Sequence, residues 1–117
     1  MKVLLFTLLL TAASVQLPAQ TEQTAPPTRD FAAAQRLLMQ GKTDESIAMF
    51  ELLAADEPSN ASISYYLAKA CSWAGRYDDA LARYRRASEL DTSKGEVYFQ
   101  SKFGIAEVTG WQKKYSG

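Results

Sequence analysis

The sequence predicts an all-α fold built from antiparallel helix-turn-helix pairs. Three observations point there. Apolar residues recur at helical spacing, first as Phe31, Ala34, Leu37 and Leu38, then as Ile47, Phe50, Leu53 and Ala54. Glycine or proline stands where each pattern stops, at Gly41, Pro58 and Gly75. And the chain matches itself, without a gap, at an offset of 34 residues.

These signals place helices at about 28–40, 43–56, 60–74, 77–91 and 95–110. Gly41 and Gly75 end the first and third, because glycine accepts the positive φ that a reversing chain needs. Pro58 closes the second, and Asn60 caps the third. Ala80 and Ala87 allow close helix approach, while Phe50 and Tyr84 fill the space beside them.

In the self-match, Gly41 pairs with Gly75, Lys42 with Arg76, and Asp44-Glu45 with Asp78-Asp79. Ser46 pairs with Ala80, Ile47 with Leu81, Phe50 with Tyr84 and Leu53 with Ala87. Upstream, Ala33-Ala34 pair with Leu67-Ala68 and Leu37 with Cys71. This pattern resembles the tetratricopeptide repeat. The second unit carries it well, in Leu67-Ala68, Cys71, Gly75, Tyr77, Ala80, Tyr84 and Ala87, with Thr92 where the first has the consensus proline at Pro58; the first departs at Thr43, Ser46 and Leu53. The resemblance implies a short right-handed solenoid with repeats at about 28–60 and 61–94. A truncated third at 95–117 completes the repeat domain of residues 29–117. The resemblance is specific for fold and nearly silent on function; the expectation beside it is a surface that holds a protein partner rather than a catalyst.

Ser72 to Asp78 recurs as Gly110 to Ser116, now at a spacing of 38, so extra residues fall around Thr92 to Gly95. In that register Ile105-Ala106 and Thr109 take core positions, and a new helix should begin at Tyr115. Val97, Phe99, Phe103, Ile105 and Val108 would then lack cover. Two outcomes are open: further chain covers them, or a partner does, self-association through this helix included.

Composition narrows the function. Lys+Arg and Asp+Glu are both 13, which gives no basic surplus for nucleic acid. Histidine is absent, so the commonest general base and nitrogen metal ligand are missing. Cys71 is alone, so no intrachain disulfide can form; on the packing face it reads as an inert buried thiol. No GxSxG frames a serine. No catalytic constellation, metal site or cofactor is expected.

Met1-Lys2 and the apolar run Val3 to Ala13 read as a signal peptide over 1–19. The run is too short to span a bilayer. Residues 20–28 are polar and contain Pro26-Pro27, as a spacer would. Together these suggest export to a bacterial periplasm or outer-membrane association. The leader, the spacer and the Trp-containing repeats also resemble the segment that precedes the barrel in YaiO-type outer-membrane proteins.

In tetratricopeptide repeats the first helix of each pair lines the concave face. The resemblance therefore implies a partner-binding surface of Phe31, Gln35 and Met39 in unit one, Tyr65, Lys69 and Trp73 in unit two, and Phe103, Glu107 and Trp111 in unit three. Aromatic and long polar side chains in one groove suit an extended peptide or a partner's helix. A second reading makes Trp73 and Trp111 packing residues between repeats. The Lys and Asn with which some members clamp a C-terminal carboxylate are replaced here by Phe31, Gln35 and Tyr65. Arg83, Arg85 and Arg86 read as a solvated face, offset by Asp78, Asp79 and Glu89.

Overall fold

The computed structural model describes residues 30–116, and all regular structure among them is helical. The expected leader (1–19) and spacer (20–28) lie outside the described residues. Among the described residues five helices follow one another: α1 Phe31–Met39, α2 Thr43–Asp56, α3 Ala61–Trp73, α4 Tyr77–Leu90 and α5 Glu96–Ser116. They stack as helix pairs, each helix packing mainly on the next in sequence, while α5 also reaches back to α3.

The ends are set by local chemistry. Asp30 caps α1 by accepting from the Ala32 amide at 3.0 Å. Asn60 caps α3 with an oxygen that accepts from the amides of Ser62 and Ile63. The two glycine turns are copies of each other. Gly41 has φ 82 and Gly75 φ 80. After each, an amide reaches back to the helix: Lys42 to the Leu37 carbonyl and Arg76 to the Cys71 carbonyl, both at 2.9 Å. The acidic pairs Asp44-Glu45 and Asp78-Asp79 occupy the first turns of α2 and α4, where the helix dipole favours them.

Between α4 and α5 the added residues form a turn in which Lys94 takes φ 55. Asp91 organises it. One carboxylate oxygen accepts from the amides of Gly95 (3.2 Å) and Tyr98 (3.0 Å), and the other from the Ser93 hydroxyl at 2.6 Å. The Ser93 bond, then the Tyr98 amide, hold this carboxyl below the usual aspartate range.

Small residues let the helices approach. Ala34, Ala68, Ala70, Ala80 and Ala87 are fully buried, beside Phe50, Leu67 and Val108. Two serines tie helix to helix: Ser46 donates to the Ala34 carbonyl and Ser64 to the Arg83 carbonyl, each at 2.9 Å. Cys71 is buried, and burial pushes its thiol up. Arg83, Arg85 and Arg86 are exposed.

The third unit departs from expectation in three ways. First, α5 does not stop near 110 but runs unbroken to Ser116, so no new helix begins at Tyr115. The residues aligned with Ala74-Gly75-Arg76 are Gln112-Lys113-Lys114, and without the glycine nothing reverses the chain. Second, Ala106 is exposed and Thr109 only half-buried, with its hydroxyl donated to the Ile105 carbonyl at 2.7 Å. Their counterparts Ala68 and Cys71 are buried in a helix flanked by neighbours, whereas no described element packs on that side of α5. Third, Val108 is fully buried, Ile105 is packed against the core and Val97 is half-buried, so of the five residues expected to lack cover only Phe99 and Phe103 stay largely exposed.

Candidate functional site

A cavity of about 300 Å³ opens between α3 and α5. Tyr65, Lys69 and Trp73 lie at successive turns of α3, and Phe103, Glu107 and Trp111 at successive turns of α5. The i, i+4 spacing puts each trio on one side of its helix. The structure brings these six expected residues into one lining. Ser72, Tyr84 and Gly104, all buried, complete it with Gln100.

The remaining expected residues lie elsewhere. Phe31 meets Phe50 and Tyr66 in T-shaped pairs, with centroids 5.7 and 5.5 Å apart, and so packs against the core. Gln35 is half-buried and Met39 is 77% exposed, and neither lines the cavity.

Lys69 is the cation of the site. Its ammonium stands 5.6 Å from the Trp73 ring centroid and 6.0 Å from those of Tyr65 and Tyr66. Ring faces attract a cation at this range, which holds the stem across the aromatic wall. Glu107 supplies the opposite sign on the α5 wall. Burial raises the Tyr65 hydroxyl above its ordinary value, with Tyr66 and then Glu107 adding to the effect. Tyr84 is pushed up to about 12, by burial first and Tyr65 second, against a hydrogen bond with Ser72 that pulls it down. Both phenols therefore stay neutral donors at physiological pH.

The tryptophans divide the two sequence readings between them. Trp111 is partly buried and sits 6.4 Å from the Tyr77 ring, beside a 2.6 Å hydrogen bond from Gln112 to Asp78 that ties α5 to the start of α4. It packs and lines the cavity at once. Trp73 is 48% exposed at the rim.

Four lining residues were not picked out from sequence as part of the surface. Gln100 lies one turn before Phe103, which spacing could have flagged. Gly104 could have been noticed as a glycine inside a helical pattern. Tyr84 reads only as a packing position, and Ser72 only as the start of the segment that recurs at Gly110.

Among the described residues no three His, Cys, Asp or Glu side chains gather as metal ligands, and no helix is long and apolar enough to cross a membrane.

Comparison with known proteins agrees with the geometry. A solved tetratricopeptide repeat domain protein from Salinibacter ruber superposes with a TM-score of 0.62 at 24% identity. The match covers 74% of this chain and 89% of that one, and it shows the fold. No curated protein matches the chain. The family model of the tetratricopeptide repeat matches residues 29–98, more than half of the sequence. Repeats of this kind generally serve protein–protein interaction, and the chain belongs to the tetratricopeptide repeat family.

Proposed function

We propose that the chain is a non-enzymatic binding scaffold of the bacterial envelope that holds an extended segment of a partner protein between α3 and α5. One observation carries the reading: two helices contribute matched trios, each with aromatic residues flanking one charged residue, to a single cavity. A volume of about 300 Å³ is at the small end for ligand sites, enough for one or two side chains of a peptide rather than a whole cofactor. Lys69 and Glu107 fix the direction of the bound segment by offering opposite charges on opposite walls. The envelope location is supported by the apolar run at Val3 to Ala13 and the polar, proline-containing residues after it.

Peptides selected from a random display library on the protein test the binding reading. They should quench Trp73 and Trp111 fluorescence and lose affinity on Lys69→Glu or Trp73→Ala, but not on Arg85→Glu. Selected peptides indifferent to both groove changes would sink it. Mass spectrometry of the envelope-purified protein tests the location: a start near Gln20 is expected, and an intact Met1 refutes export.

A second reading makes these repeats the periplasmic part of an outer-membrane barrel protein. It is favoured by the recurring Trp-x-x-x-Tyr of residues 73–77 and 111–115 behind a leader and spacer. Alternating apolar strands encoded after Gly117 would support it, and an immediate stop would refute it.

A further inference from the structure

The side of α5 turned away from buried Ser101, Gly104 and Val108 carries a stripe that no described element covers. It consists of Phe99, Phe103, Ala106 and Gly110, all exposed, the phenylalanines at 64% and 69%. At 3.6 residues per turn the four fall within an arc of about 60°. A methyl group placed on Gly110 would meet nothing within 4 Å, so the space beside it is open.

The stripe is bulky in its first half and small in its second. Phe99 and Gly110 are equidistant along the helix from a point between Gly104 and Ile105, and so are Phe103 and Ala106. A two-fold axis through that point, perpendicular to the helix, sets each phenylalanine of one copy on a small residue of the other. Charge follows the same symmetry. Glu96 lies in the first turn and Lys113 and Lys114 in the last, and Glu96 and Lys113 are equidistant from that point. Antiparallel apposition brings each acidic end to a basic end and opposes the helix dipoles favourably. Parallel apposition would set phenylalanine on phenylalanine and lysine on lysine.

We infer that α5 is a self-association helix, two copies of the chain packing antiparallel about a two-fold axis between Gly104 and Ile105. The occupant of the stripe is a second copy because bulk and charge are both self-complementary about one point. This stands apart from peptide binding in the groove, although the two surfaces meet at Phe103.

Sedimentation equilibrium tests it, with circular dichroism confirming that each variant stays folded; every changed residue is on the exposed side. The protein should show a monomer–dimer equilibrium that Phe99→Glu abolishes. Glu96→Lys alone, or Lys113→Glu with Lys114→Glu, should weaken it about tenfold, since like charges then meet twice per dimer. All three charge changes together should restore the original affinity. A protein that stays monomeric at its highest soluble concentration overturns the inference. So does a dimer indifferent to Glu96→Lys, or a combined variant as weak as either parent.

Discussion

The ring of Tyr84 lies against the backbone of Gly104, so that a Cβ built on the glycine would stand 2.6 Å from the ring's Cζ. Tyr84 is itself buried, so it has little room to retreat. The closeness of α4 and α5 at the groove's base depends on that missing side chain. Gly104→Ala should therefore lower stability by about 1–3 kcal/mol, in spite of alanine's better helix propensity. Gly110→Ala, in the same helix with open space around it, should raise stability by about 0.5–1 kcal/mol. Urea melts of dilute protein check both, and the prediction requires opposite signs.

Ala80 is fully buried, and Ala82, two residues on, is exposed. Ala80→Leu should overpack the helix contact and cost about 1–3 kcal/mol, while Ala82→Leu should stay within about 0.5 kcal/mol of the original. Equal tolerance in denaturant melts would contradict the repeat register.

Among the described residues, the Ser101 hydroxyl is buried with no hydrogen-bond partner. A buried donor left unpaired costs free energy that its removal returns. Ser101→Ala should leave stability unchanged or raise it by up to about 1 kcal/mol, measured by thermal melting. A loss of that size would mean that the hydroxyl has a partner after all.

Tyr84 gives a pH dependence with a definite sign. In the unfolded chain a tyrosine loses its proton near pH 10, whereas in the folded one burial, with Tyr65, holds this proton to about 12. The folded state thus keeps a proton the unfolded state has released. The stabilisation is whole below pH 10 and declines as pH rises towards 12, by at most about 1.4 kcal/mol per pH unit. Tyr65 shifts in the same direction. Denaturant melts from pH 9 to 11.5 should show this decline, and Tyr84→Phe should make it shallower.

The first four helices were legible because their limits rest on local chemistry that sequence displays. Gly41 and Gly75 mark left-handed turns, and Asn60 after Pro58 marks a cap. The groove trios of α3 and α5 were legible too, since their register follows from the recurrence of Trp73 at Trp111. Unit one was less so: Phe31 occupies a groove position by register, yet turns onto Phe50 and Tyr66, an outcome decided by packing partners distant in sequence. The course of α5 was hidden for another reason. Recurrence of the Trp-x-x-x-Tyr spacing suggested recurrence of the turn, but the turn belongs to glycine, and Lys113 stands in its place. Burial of Gly104 follows from contact with Tyr84 of α4, which no pattern within α5 alone records.

Cys71 has one more consequence. It is the sole thiol of the chain, 3% exposed, and its proton is held more tightly than in water because of burial. A soluble thiol reagent can reach it only in the brief intervals when α3 lifts from its neighbours. The protein therefore carries its own stopwatch: the pace at which one sulfur is labelled counts how often the middle of the solenoid breathes. Any molecule seated in the groove, one helix face away, should slow that count without touching the sulfur.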